Sequence, residues 1–185
     1  MYFITETWLH DDVCSGLLDH RSQFTALRKD RTVSKGGGVC ALIRNHLRVV
    51  PVSIADEFSD LKLLCFDLIT ANCRYRIFVI YRPPGFDCDA INYMSLLVAC
   101  ISKYSNDKYT HIILRDLNLP KVDWATNCGP KHDVYAMFLT FMLENSYSQI
   151  VHFPTRGANI LDLILTNDTS LFTVVDSDSP VTTHL

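Results

Sequence analysis

The order of apolar runs along this 185-residue chain predicts an α/β or α+β sandwich built on a mixed β-sheet. Three observations carry that expectation. Short apolar runs recur and stop at prolines, glycines or charged residues, as strands do. Two longer stretches place their apolar residues at helical spacing. Those helices fall between strands rather than after all of them, which favours a sheet with both parallel and antiparallel neighbours.

Taken in order, Tyr2, Phe3 and Ile4 form a short strand running into Glu6. Residues 11–35 are polar and irregular. They close on Gly36, Gly37 and Gly38, where glycine allows a tight turn into the strand "VCALIR". Residues 48–54 and 61–69 ("LKLLCFDLI") read as strands. So does "RYRIFVIYRPP" (74–84), which ends at two prolines that cannot continue a ladder. Ile91, Met94, Leu97, Val98 and Ile101 predict a helix over 87–104, followed by a strand at 110–115. A second helix spans 132–146, with apolar positions at 134, 137, 138, 141 and 142; His132 and Asp133 begin it, where an acid is favoured. "SQIVHF", "ILDLILT" and "LFTVVD" complete the set as strands. No repeat, linker or low-complexity segment interrupts the chain, so residues 1–185 are expected to be one domain. It opens inside an apolar run, "MYFITETWL", and stops abruptly at "SDSPVTTHL", so truncation is expected at both the N-terminus and the C-terminus.

Composition narrows the class. With 48% apolar, 20% charged and 11% aromatic residues, disorder, collagen and coiled coil are excluded. A net charge of −3 announces no nucleic-acid binder, although a local basic patch escapes such a count. Seven cysteines, odd in number and scattered without zinc-ligand spacing, are expected to be reduced, mostly buried thiols. With no signal peptide and no apolar run of membrane-spanning length, the expected location is intracellular, nucleus or cytoplasm, with no membrane partner.

Polar residues break the apolar runs at particular places. Glu6 follows "YFIT", Tyr81 follows "RIFVI", Asp116 and Asn118 follow "HIIL", and Asp162 lies within "NILDLILT". Each sits at or near a strand end, where α/β sheets carry their chemistry. Singly, such an acid is a turn former or helix cap, and Tyr81 a core tyrosine. Asp162 differs, because Leu161, Leu163, Ile164 and Leu165 surround it and a buried carboxylate needs a partner. Together the five favour a site. Carboxylate and amide oxygens are hard ligands suited to Mg²⁺ or Mn²⁺ rather than zinc, and a tyrosine hydroxyl can donate to phosphate. The reaction class that fits is metal-assisted hydrolysis of a phosphodiester or phosphomonoester.

"ITETWL", "KGGGV", "YRPP", "DLNLP", "FPTR" and "NILDLILTN", in this order, resemble the endonuclease/exonuclease/phosphatase superfamily. The likeness runs from Ile4 to about Asn167 and is strongest to the apurinic-type endonuclease domain that precedes reverse transcriptase in non-LTR retrotransposons. The resemblance implies a four-layered α/β sandwich, two mixed β-sheets face to face with helices outside, whose N-terminal strand is missing here. It implies a Mg²⁺-dependent (or Mn²⁺-dependent) nuclease, a hydrolase that nicks target DNA, with a reverse transcriptase domain in the parent polyprotein and a monomeric domain as the working unit. By motif, Glu6 matches the metal-binding glutamate and Tyr81 the tyrosine on the scissile phosphate. Asp116 matches the aspartate that orients or deprotonates water, Asn118 the asparagine that helps hold phosphate and metal, and Asp162 the aspartate that orients the catalytic histidine.

Three departures accompany the likeness. The early strand bearing an asparagine lies upstream of Met1. Arg115 stands where a glycine precedes Asp-x-Asn, and its guanidinium is expected to crowd the pocket or to pair with Asp116 and lower its basicity. The closing Ser-Asp-His is replaced by "SPVTTHL", in which His184 takes the catalytic place and Thr183 stands at the aspartate. Arg82, Lys121 and Arg156 are expected to contact DNA phosphates, and Trp124 an unstacked base. Two other readings stay open on the sequence: a catalytically decayed remnant of such a domain, and a phosphomonoesterase of the same fold.

Overall fold

A computed structural model describes residues 1–18, 22–30, 37–105 and 108–172. Two β-sheets pack face to face. The smaller contains β1 (Tyr2–Thr5), β2 (Phe24–Lys29) and β3 (Val39–Arg44) in the order β1-β3-β2, antiparallel throughout. The larger contains β4 (Arg48–Pro51), β5 (Lys62–Ile69), β6 (Arg74–Tyr81), β7 (Thr110–Asp116), β8 (Ser148–Gln149) and β9 (Asp162–Thr166) in the order β4-β5-β6-β7-β9-β8. It is mixed: β6 and β7 run parallel, joined through helix α1 (Cys88–Tyr104), and the other pairs are antiparallel. A parallel pair needs a crossover of a dozen or more residues, and α1 supplies it.

The period-two alternation of the strands divides the core in two. Ile77, Val79 and Tyr81 of β6 and Phe66 of β5 face the smaller sheet and pack on Val39, Ala41 and Ile43. Phe78, Ile80 and Ile113 face the other way, onto Met94, Leu97 and Ile101 of α1 and Phe138, Phe141 and Met142 of helix α2 (Asp133–Glu144). Asp87 caps α1 by accepting the Ala90 N–H at 2.9 Å, and His132 caps α2 through Val134 N–H. Pro83 and Pro84 end β6 and turn the chain toward α1.

The fold class is the expected α/β sandwich. Several details differ from the sequence reading. Residues 11–35 are not wholly irregular, because β2 lies among them as an edge strand half-buried on β3. Its sequence, FTALRK, has no strong alternation, and pairing with β3 decides it. Arg28 then ties the preceding loop down, donating to the carbonyls of Val13 and His10 and pairing with Asp30. "SQIVHF" yields only the two-residue β8, since Gln149 folds back on Val151 through its side-chain amide instead. Of "LFTVVD", Leu171 closes a 3-10 turn that Phe172 caps in an extended conformation, and residues 173–176 lie outside the described residues. Among the described residues both α-helices lie against the larger sheet, so the layers there are sheet, sheet and helix. All seven cysteines are free thiols; Cys40, Cys65 and Cys100 are buried, but four are exposed, against the expectation of mostly buried ones. No helix among the described residues is long and apolar enough to cross a membrane.

Candidate active site

Strand alternation and register bring three of the five polar residues into one row. Tyr81 is the Cα partner of Asp116 across the parallel pair, and Asp116 is the partner of Asp162 across the antiparallel pair. Neighbouring strands lie about 4.8 Å apart, so these side chains stand side by side on the face turned to the smaller sheet. Glu6 meets them from that sheet: its carboxylate accepts the Tyr81 hydroxyl at 2.8 Å. The Tyr81 backbone is held from behind by Tyr93 of α1, whose hydroxyl accepts the Lys62 N–H and donates to the Tyr81 carbonyl, both at 3.0 Å. Tyr93 carries no signal of its own along the sequence, and only the fold reveals that tie.

Asp116 and Asn118 lock the turn after β7. The Asp116 carboxylate accepts the Asn118 N–H at 3.1 Å, and the Asn118 amide donates to the Arg82 carbonyl at 2.9 Å. Asn118 has a left-handed backbone, φ 50°, which asparagine tolerates better than most residues. Burial, with the neighbouring Asp162 carboxylate next, pushes the Asp116 pKa up to about 6; the Asn118 N–H opposes the shift, as does Arg156, while Glu6 adds to it. Burial and the hydrogen bond to Glu6 keep the Tyr81 hydroxyl protonated well beyond its usual range.

Asp162 is not the enclosed carboxylate the sequence suggested: its side chain is open to solvent while protein surrounds it on several sides. A carboxylate on the wall of a cleft meets both conditions, which explains why crowding still raises its pKa. Thr155 opposes the rise. Its hydroxyl oxygen accepts the Leu161 and Asp162 N–H groups at 2.9 and 3.0 Å, leaving its own proton for the carboxylate. Thr155 was missed as an individual residue, though the "FPTR" motif holds it. Beside Asp162 runs an apolar trough of about 330 Å³ between Phe3 and Thr5 on one side and Leu114, Ile164 and Phe153 on the other. Glu6, Tyr81 and Asp116 do not line it, so the polar row is its neighbour and not its floor.

Lys121 and Arg156 are exposed near these strand ends. Arg82 is not at the surface: it is 0% exposed, with its guanidinium donating to the carbonyls of Leu117 and Gly85 and lying over the Phe86 ring. It is a clamp on the turns and cannot reach a phosphate outside. Trp124 is also interior, 8% exposed, with its indole N–H on the Ile160 carbonyl at 3.1 Å. His184 lies outside the described residues.

Arg115 neither crowds the row nor pairs with Asp116. Adjacent strand residues point to opposite faces, so Arg115 projects toward α2 while Asp116 projects toward the smaller sheet. It is 3% exposed, its guanidinium 4.2 Å from the Phe138 ring centroid, and none of its three side-chain nitrogens has a hydrogen-bond partner among the described residues.

The donors suit a hard cation. Glu6 supplies a carboxylate, and the Asn118 side-chain oxygen has no donor among the described residues once its amide is committed to Arg82. The mutual repulsion of Glu6, Asp116 and Asp162 is what a cation would relieve. No group of three or more His, Cys, Asp or Glu among the described residues could hold a metal ion. Glu6 and Asn118 could supply at most part of a coordination shell, as in Mg²⁺ sites that substrate oxygens and water complete.

Known proteins share this architecture. The endonuclease domain of TRAS1, a telomere-specific non-LTR retrotransposon, matches with a TM-score of 0.55 at 14% identity, over 80% of this chain and 69% of that one. An AP endonuclease from Leishmania major matches at 0.61 and 12% identity, over 89% and 68%. The human Nocturnin catalytic domain matches at 0.60 and 13% identity, over 89% and 68%. No curated protein matches the sequence. At such identities the structures speak for the fold. The family profile described as endonuclease-reverse transcriptase matches residues 75–184, more than half of the chain and the part that holds Tyr81, Asp116, Asn118 and Asp162, and the chain belongs to that family.

Proposed function

We propose that this chain is a Mg²⁺- or Mn²⁺-dependent DNA endonuclease that nicks one strand of a target duplex, as the nuclease domain of a retrotransposon protein that also carries a reverse transcriptase. The observation that supports it best is the in-register row Tyr81–Asp116–Asp162, with Glu6 reaching it from the facing sheet.

Asp116 has the properties of a general base: a pKa near 6 leaves it ionised at neutral pH yet basic enough to take a proton from water. As the water oxygen bonds to phosphorus, one P–O ester bond breaks, and the leaving oxygen takes its proton from solvent, to which Asp116 returns the one it accepted. Glu6 and Asn118 would hold the cation, which would supply charge neutralisation on the phosphate. Tyr81 keeps its proton and offers it to Glu6 or to a phosphate oxygen beside it. Asp162 orients His184 in this reading, and Lys121 and Arg156 hold flanking phosphates.

The test is nicking of supercoiled plasmid by the full chain in Mg²⁺, stopped by chelator and reduced at least 100-fold by Asp116→Ala. A folded chain that nicks nothing overturns the reading. Release of phosphate from soluble monoesters without nicking would move the same site to a phosphomonoesterase.

A further inference from the structure

Trp8 lies two residues beyond Glu6, which places its Cα within about 7 Å of the glutamate's. Its side chain is 58% exposed. Among the described residues its indole meets no other ring, cation or hydrogen-bond partner. Exposed apolar residues are common, and Leu17 and Leu143 are more exposed still. Trp8 differs from these in its backbone. It holds φ at +55°, a left-handed conformation that costs a bulky residue about 1–2 kcal/mol and that glycine adopts freely. Glu6, at φ 52°, shares it. The loop is pinned there: Thr7 N–H donates to the Gly38 carbonyl at 3.4 Å and Trp8 N–H to the Gly37 carbonyl at 3.1 Å. Gly37 and Gly38 are themselves at φ 92° and 84°. The largest side chain thus stands where glycine would fit unstrained, with its face bare, beside the residue that meets the polar row. Strain held in place by surrounding structure is characteristic of functional positions.

We infer that Trp8 is a stacking platform for a nucleobase displaced from the duplex next to the scissile phosphate. This rests on the endonuclease reading and deepens it: the preferred substrate is DNA carrying an unpaired or easily unstacked base at the cut. Every base has a π-face, so stacking selects for an accessible base and not for a sequence. Trp8 touches the strand but takes no part in proton transfer, so its loss raises KM and spares kcat.

The experiment is a titration of the full chain, in chelator, with a duplex oligonucleotide holding one mismatched pair and with its fully paired counterpart, followed by tryptophan fluorescence. Trp124 is the buried reference. The expected result is quenching by the mismatched duplex, absent in Trp8→Ala, with affinity reduced on the order of ten-fold and partly restored in Trp8→Phe. Trp8→Gly folds with an equal or higher melting temperature yet binds as weakly as the alanine variant, which a structural role for the indole would not allow. Binding by Trp8→Ala within two-fold of the parent overturns the inference while leaving the nuclease reading intact. A parent chain that neither binds nor nicks DNA overturns both.

Discussion

Replacing Arg115 by methionine should stabilise the protein and leave its catalysis alone. The guanidinium is buried against Phe138, and its three nitrogens have no hydrogen-bond partner among the described residues. Burial pulls its pKa well down, but arginine holds its proton in proteins, so the cost appears as lost stability. An ion taken out of water without a partner costs several kcal/mol, here about 4. The contact with the Phe138 ring returns about 1–2 kcal/mol. Methionine fills most of the same space, leaving a void that costs about 1 kcal/mol. The net expectation for Arg115→Met is a gain of about 1–2 kcal/mol. With a urea slope of about 2 kcal/mol/M, the unfolding midpoint rises by roughly 0.5–1 M. Nicking should stay within about two-fold of the parent, because the side chain lies on the opposite face of β7 from Asp116. A variant destabilised by more than about 1 kcal/mol would refute the account of an unpaired charge. A ten-fold loss of nicking without destabilisation would refute the placement.

Asp116→Asn should trade function for stability. A carboxyl whose folded pKa is about 6 against an ordinary 3.8 binds its proton more tightly in the native state, so it weakens the fold as pH rises through that window. About two pH units correspond to about 3 kcal/mol, so the variant should melt higher than the parent at pH 8 and show little difference at pH 3.5, while its nicking is abolished. In the parent, nicking should fall as pH drops below about 6, tracking protonation of the base; a flat profile down to pH 5 would remove Asp116 from that role. Tyr81→Phe removes the donor to Glu6 and should reduce nicking about ten-fold or more at a stability cost near 1 kcal/mol, measured by plasmid assay and urea titration. Thr155→Val leaves two N–H groups without their acceptor and should cost about 1–3 kcal/mol; calorimetry checks it, and Thr155→Ser should recover most of the loss.

The sequence by itself determined the elements whose signals are local. Apolar runs ended by prolines marked β6, helical spacing marked α1 and α2, and the polar residues at strand ends marked Glu6, Tyr81, Asp116, Asn118 and Asp162. Those signals survive because burial on one face imposes a period that can be read along the chain. What depends on pairing could not be read this way. Strand β2 exists because β3 offers it an edge, and "SQIVHF" is nearly all loop because Gln149 satisfies its own neighbourhood. The row Tyr81–Asp116–Asp162 is a fact of register, which no single segment encodes. Facing decided the rest. One step along β7 separates Asp116, turned to the smaller sheet, from Arg115, sealed beneath α2, and the same logic of burial took Arg82 and Trp124 out of reach of any outside ligand while leaving Trp8 bare.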